Sequence, residues 1–309
     1  MKVSVIIPCY NCETYINETI QSVLAQDTND VEIICIDNGS TDNTLNLLKE
    51  LQENVPNLII DTEKQAGASY ARTKGISIAR GKYIQFLDSD DIILPGKFSA
   101  QINHIEKHHL DWVISDRSIV NENLDIVLSE HTYAHFMESP LAVAISEVIT
   151  SGNPLYTRDI VTKVGGYTPQ LKVAQDWDFH IKLILNNSRF GYIKGDYFHS
   201  RTVENSLSSN WFFVSTTLCE LILRYKKDFT DHDMLINPTA LKKIHNVHLS
   251  SIILSRNSVL SKKLYKELKF WSQEISIKRT LIGKNKIAFS VLGLKAYTYL
   301  KRLFSKKLD

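Results

Sequence analysis

The chain has 309 residues, enough for a large core in one extended domain or one domain plus an appendage, and its 43% hydrophobic and 23% charged residues are ordinary for a soluble globular enzyme. Net charge is only +2, but residues 261–309 carry 13 Lys and Arg against 3 acids, a local +10 that leaves −8 on the rest. No run of about 18 apolar residues occurs, which excludes a transmembrane helix from the expectations, and the chain enters a strand pattern without a signal-peptide layout, so a cytoplasmic protein is expected.

The first hundred residues alternate strand and helix signals. "KVSVIIP" is a nearly continuous apolar run, as in a strand buried on both faces. "TYINETIQSVLAQ" places Tyr15, Ile16, Thr19, Ile20, Val23 and Leu24 on one helical face. "VEIICID" predicts a second buried strand, stopped by "NGS", and "TDNTLNLLKELQEN" a helix with Thr41 or Asp42 as its N-cap. "NLIIDT" predicts a third strand, "GASYARTKGISIA" a third helix ended by Gly81, and "KYIQFL" a fourth strand. Repeated strand–helix–strand units imply a parallel sheet with right-handed crossovers, whose ligands bind at the carboxyl ends of the strands.

A helix over residues 95–109 and a strand at "DWVISDRSIV" follow. Residues 121–147 lack clear periodicity. "ITSGNPLYTRDIVTKVGGY" predicts a strand, a short helix and a Gly-Gly turn. "QDWDFHIKLILNN" predicts an amphipathic helix with acids in its first turn, where they suit the helix dipole, and "RFGYIKGDYFHS" a strand. From about residue 210 the pattern is mostly helical.

Four cysteines are present: Cys9, Cys12, Cys35 and Cys219. Cys9 and Cys12 form a C-x-x-C after the first strand, where a redox pair would sit. A lone pair of this kind is a weak pattern, and reduced thiols used as packing residues are the plainer reading. Three loops, "PCYNCE", "DNGSTD" and "DSDD", fall at carboxyl ends of strands. Each alone reads as a turn, since Asn, Asp, Gly and Ser are turn residues. Together on one rim they point to a ligand site. In "DSDD", Asp88 and Asp90 stand two apart in an extended segment, so both carboxylates can face one ion. A helix cap would need one acid and not three.

Lined up in order, "VSVIIPCYNCETYI", "IDNGSTDNT", "GASYARTKGI", "GKYIQFLDSDD", "VGGY", "QDWDFHIKL" and "YFHS…NSLS" resemble the family 2 glycosyltransferases of the GT-A fold, over residues 1–208. The resemblance implies an α/β fold with a Rossmann-like, mostly parallel sheet flanked by helices, residues 1–110 forming a nucleotide-binding half and 111–208 an acceptor half. Residues 209–309 would be a helical, basic extension. It implies transfer of a sugar from a nucleotide diphosphate donor, UDP-linked by family preference, to an acceptor hydroxyl with inversion, assisted by Mg²⁺ or Mn²⁺. The expected acceptor is a saccharide or lipid-linked saccharide in bacterial surface polysaccharide synthesis: capsule, O-antigen or exopolysaccharide.

By the same resemblance, Asp90 is the direct metal ligand and Asp88 serves the metal or the donor ribose, while Asp91 is ambiguous and is read as a cap for the next helix. Pro8, Tyr10, Asn11 and Glu13 match the first nucleotide loop, Asp37 and Asn38 the base-binding loop, and Arg72 a residue reaching base or phosphates. Asp176 matches the general base, and His199 a third metal ligand or diphosphate contact. Several positions depart from the pattern. Asn38 replaces a second acid, Thr73 the usual Asn, Gln175 the commoner Glu, and Phe198 a frequent Arg whose charge Arg201 could supply. Trp177 reads as core or as a sugar-stacking ring.

The basic tail, "KAYTYLKRLFSKKLD", interleaves aromatic and aliphatic residues with Lys and Arg. It suits an anionic membrane surface, placing the protein on the inner face of the cell membrane, and equally a helix packed on the catalytic domain. No nucleic-acid module accompanies the charge, so nucleic acid is not an expected partner. The rival readings are a sugar-nucleotide nucleotidyltransferase, which would want a Gly-rich basic loop after the first strand, and a degenerate nucleotide-sugar binding subunit.

Overall fold

Five consecutive buried residues open the first strand, β1 (Val3–Cys9), and all seven of β2 (Val31–Asp37) are buried. Between them α1 (Ile16–Leu24) buries Ile16, Thr19, Ile20 and Val23, while Leu24 is exposed at the edge of the predicted face. The computed structural model describes residues 2–28, 30–138, 140–203 and 211–231. The chain divides into two compact units, Met1–Ser209 and Asn210–Asp309. In the second, α8 (Trp211–Arg224) and α9 (Lys226–Asp231) are described. The basic tail and the "NSLS" stretch lie outside the described residues.

The first unit continues with α2 (Thr44–Asn54), β3 (Leu58–Thr62), α3 (Ala68–Ile78), β4 (Tyr83–Phe86) and β5 (Ile92–Ile93). Then come α4 (Lys97–His108), β6 (Trp112–Val120), β7 (Val127–His131), a 3-10 turn at Ala134–Met137 and α5 (Pro140–Ser146). It closes with β8 (Leu155–Thr157), α6 (Arg158–Lys163), α7 (Gln175–Leu185) and β9 (Phe190–Arg201). Every long element predicted before residue 202 is present; of the helical region expected beyond residue 210, only 211–231 is among the described residues. The aperiodic stretch holds β7 and α5, and β5 is too short to announce itself.

Among the described residues the strands form one sheet in the order β3-β2-β1-β4-β8-β6-β9-β5, with β7 on β6. The block β3-β2-β1-β4 is parallel throughout, and β6 pairs β9 in parallel. Strand β8 runs antiparallel between β4 and β6. From β1 the chain builds outward to β3, then returns to place β4 on the other side of β1. That reversal of order makes the carboxyl ends of β1 and β4 the place where this class of sheet binds ligands.

Two cap expectations change. The N-cap of α2 is Asn43, without a side-chain bond, while Asp42 accepts the Thr44 N–H at 3.0 Å in a local turn. Helix α3 ends at Ile78, before Gly81, whose requirement is a different one. A Cβ there would lie 2.6 Å from Ser4 N, so only glycine lets this backbone close on β1. All four cysteines are buried. The neighbouring Cys9 thiol and burial push the Cys12 pKa up, which removes the thiolate that redox exchange needs. Cys9 and Cys12 are therefore packing residues.

Candidate active site

The three acidic and amide-rich loops do meet on one rim, and their side chains stitch them together. Asn11 sits in the left-handed region at φ 48°, which an Asn tolerates, and its Oδ1 accepts the Thr41 N–H at 2.8 Å. Glu13 accepts the Asn43 N–H at 2.7 Å. The Asn38 N–H donates to the Cys9 carbonyl, closing the loop after β2 against the end of β1, just past Pro8. Tyr10 is 62% exposed, an aromatic ring presented to solvent at this mouth.

Asp37 ends β2, and its two carboxylate oxygens accept the N–H groups of Gly39 and Ser40. Asn38 behaves otherwise than expected. Its amide donates to the carbonyls of Glu63 and Gln65, both at 2.8 Å, and accepts the Gly67 N–H at 2.6 Å. This explains the departure from a second acid, since a carboxylate has no hydrogen to give two carbonyls. The side chain holds the loop leading into α3 and does not point a free amide at a ligand. Asn38→Asp is expected to destabilise the fold by about 2–4 kcal/mol in urea denaturation, from two carbonyls left facing a carboxylate.

Arg72 is buried on α3, at 4% exposure. Its Nη2 lies 2.5 Å from Asp88 Oδ1 and its Nη1 2.7 Å from Gln175 Oε1, with the guanidinium 4.8 Å from the centre of the Tyr167 ring. It therefore joins the acidic loop to the start of α7, instead of standing free for phosphate. Gln175, in place of a Glu, gives it a neutral second partner.

Next in α7 is Asp176. Its Oδ1 accepts the Tyr167 hydroxyl at 3.2 Å and its Oδ2 the Ser151 N–H at 3.3 Å. Burial raises its pKa, Arg72 opposes the rise, and Asp88 adds to it. Tyr167 and Ser151 are contacts that residue types alone did not reveal. The quoted "VGGY" was the available signal for Tyr167, because Gly165 and Gly166, at φ 75° and 60°, turn the chain back onto α7. Trp177 donates to the Ile145 carbonyl at 3% exposure and is core. Asp178 is buried as well, accepting from Thr168.

The acidic loop is fastened from behind by Arg201. Its backbone N–H donates to Asp91, and its guanidinium donates to the carbonyls of Asp90 and Glu122 and to Glu18. Arg201 is thus a structural clamp and not a substitute for the missing arginine at Phe198. Asp91 caps no helix, because β5 intervenes before α4. Asp90 has no side-chain partner among the described residues. Burial and the Asp88 charge push its pKa up to about 6.

A carboxylate left in that condition fits a divalent cation, and Asp88 with Asp90 supplies the hard oxygen donors that Mg²⁺ or Mn²⁺ prefers. No group of three His, Cys, Asp or Glu placed to hold a metal occurs among the described residues. The expected third ligand, His199, stands opposite Ile92 where β9 pairs with β5, and its Nε2 is engaged 3.0 Å from Asp196 Oδ2. The fit is to an ion bound by two carboxylates and completed by phosphate and water oxygens, a usual arrangement for Mg²⁺. A cavity at the opposite, amino-terminal edge of β2, lined by Val31, Glu32 and Arg80, touches none of these groups.

Behind the site, His180 is fully buried, with Nδ1 2.8 Å from the Asp176 carbonyl and Nε2 2.8 Å from the Tyr156 hydroxyl. Burial lowers its pKa to about 4. The folded state holds it neutral while the unfolded chain protonates near 6.5, so its support is complete above pH 6.5 and is lost as pH falls toward 4. Urea denaturation at pH 7.5 and 4.5 should show wild type losing about 2–3 kcal/mol more than His180→Gln over that interval. Equal losses would refute a neutral, buried His180.

The family model described as "Glycosyl transferase family 2" matches residues 4–165. The chain is 31% identical over 196 residues to an uncharacterized glycosyltransferase of Methanocaldococcus jannaschii, covering 62% of this chain and 68% of the relative. It is 30% identical over 182 residues to chondroitin synthase of Pasteurella multocida, covering 59% of this chain and 18% of that one. Against the minor teichoic acid biosynthesis protein GgaB of Bacillus subtilis it is 27% identical over 227 residues, covering 68% and 25%. The chain thus spans a quarter or less of the latter two. Its fold matches S. aureus TarS 1–349 in complex with UDP-GlcNAc at a TM-score of 0.61 and 20% identity, covering 89% and 92%. It matches the mannosyltransferase PcManGT from Pyrobaculum calidifontis in complex with GDP-Man and Mn²⁺ at 0.57 and 17%, covering 88% and 83%.

Proposed function

Since the chain belongs to glycosyl transferase family 2, as a family model covering just over half of it shows, we propose that it moves a sugar from a UDP-linked donor to a hydroxyl of a surface or cell-wall polymer, with inversion. The observation that carries this reading is the Arg72 bridge, which ties Asp88 of the acidic loop to Gln175 at the start of α7 and so sets Asp176, the next residue, within electrostatic reach of Asp88 from far along the sequence. Three parts of a transfer reaction then have candidates. Pro8, Tyr10, Asn11, Glu13 and Asp37 form the nucleotide's rim, with the Tyr10 ring offered to the base. Asp90, supported by Asp88, is assigned the divalent ion. When bound, such an ion neutralises charge gathering on the diphosphate as the glycosidic bond breaks.

Asp176 is assigned the proton of the acceptor hydroxyl. Inversion by direct displacement requires that proton to leave as the oxygen attacks the anomeric carbon. Burial that raises the Asp176 pKa makes it a stronger base, while Tyr167 and Ser151 fix where its oxygens point. Domain limits of 1–208 and 209–309 and peripheral membrane attachment through the basic tail belong to this proposal too. No helix among the described residues is long and apolar enough to cross a membrane. The choice of polymer draws on GgaB, named for teichoic acid, and on chondroitin synthase.

The test is titration of UDP, then of UDP-sugars, with and without Mn²⁺, followed by nucleotide release on adding polymer acceptors. Metal-dependent UDP binding and acceptor-stimulated release are expected. Binding that is indifferent to Mg²⁺ and Mn²⁺ would overturn the Asp88 and Asp90 assignment.

A further inference from the structure

Three arginines are buried in the described sheet unit: Arg72, Arg117 and Arg201, each at most 9% exposed. Two are neutralised, Arg72 by Asp88 and Arg201 by Glu18. Arg117, on β6, forms no ion pair with a carboxylate among the described residues; it shares a hydrogen bond with the Tyr133 hydroxyl, and its charge reaches the buried Asp91. Its Nη1 lies 3.5 Å from Thr150 Oγ1, at the limit of a hydrogen bond, and its Nε has no partner at all. A guanidinium keeps its charge, so burial without a carboxylate bonded to it leaves donors that its neighbours do not fill. Such a residue lowers the stability of the empty protein, and charges of this kind gather at functional sites.

Its location is specific. Thr150 precedes Ser151, whose N–H holds Asp176. On its other side the charge of Arg117 is felt at Asp91, next to the proposed metal ligand Asp90. In the sheet it stands opposite His131 of β7. Burial, and after it Arg117, lowers the pKa of that histidine, so no second cation is favoured there. With no carboxylate bonded to it and its Nε unfilled, the guanidinium has a donor to offer an anion on the side of the loop that fixes the base.

We propose that Arg117 binds a phosphate group of the substrate. Its planar fork of donors suits a phosphate's oxygens, and the free Nε supplies one of them. Two sources carry that chemistry: the diphosphate of the donor, and a phosphodiester within the acceptor. The proposal rests on the transferase reading only for the identity of the substrate.

The experiment compares wild type with Arg117→Met and Arg117→Lys. In EDTA, inorganic phosphate should raise the melting temperature of wild type and Arg117→Lys but not of Arg117→Met. Unliganded Arg117→Met should melt at or above wild type, because an unpaired buried charge has been removed. With Mn²⁺ present, a tenfold or greater loss of UDP affinity in Arg117→Met assigns the donor diphosphate. Unchanged UDP affinity beside a lost phosphate response assigns the acceptor's phosphate. The proposal is overturned if Arg117→Met melts several degrees below wild type, if phosphate stabilises it as well as wild type, or if phosphate leaves wild type unmoved. Failure of the transferase reading would show separately, as wild type that responds to phosphate but does not bind UDP.

Discussion

Asp176→Asn is expected to lower sugar transfer by about 10²–10⁴-fold while donor affinity holds, the usual loss when a positioned base is removed. The substitution is nearly isosteric. Tyr167 can still donate to the amide oxygen, and Arg72 keeps its bonds to Asp88 and Gln175. What disappears is the proton acceptor whose affinity burial had raised. Nucleoside diphosphate release, followed with and without acceptor, separates the two effects. A variant that transfers at the wild-type rate would remove Asp176 from the role of base, and one that no longer binds UDP would make it a donor contact.

Arg201→Met should cost about 3–5 kcal/mol of folding stability, because the partners of a buried, hydrogen-bonded cation would be stranded. The carbonyls of Asp90 and Glu122 lose donors held at 2.7 Å, and Glu18 loses one held at 2.6 Å. The damage should also reach function, since the Asp90 carbonyl belongs to the loop assigned to the ion. UDP affinity in Mn²⁺ should therefore fall together with stability in urea denaturation. A stability loss below about 1 kcal/mol would mean that water replaces the guanidinium at these carbonyls.

Much of this was legible in residue order. The alternation of β1 to β4 with α1 to α3 follows from continuous apolar runs and helical periodicity. The carboxyl-end rule then located the loops before any contact was known. What the residues withheld is how side chains are used. Arg72 and Arg201 read as cations available for phosphate, yet both are occupied by Asp88, Glu18 and main-chain carbonyls, partners up to 183 residues away. Asn38 read as a weakened base contact and is a loop fastener. Such roles depend on which atoms meet across the fold, and spacing along the chain does not record that. Strand β5 escaped because two residues carry no periodicity, and β7 because Ile126, Val127 and Leu128 are all exposed and do not alternate.

The clamp at Asn38 also governs how this protein ages. Asn38 is followed by Gly39, the pair whose amide is most readily lost when the glycine nitrogen attacks the asparagine carbonyl carbon and expels ammonia. Here the Gly39 nitrogen donates to Asp37, and the Asn38 amide is pinned by the Glu63 and Gln65 carbonyls and the Gly67 N–H. Attack requires all of these bonds to release together. Deamidation at this position therefore records molecules that have opened, and each event leaves an acid where the loop can use only an amide, so an opened molecule that reacts refolds with the stability loss expected of Asn38→Asp.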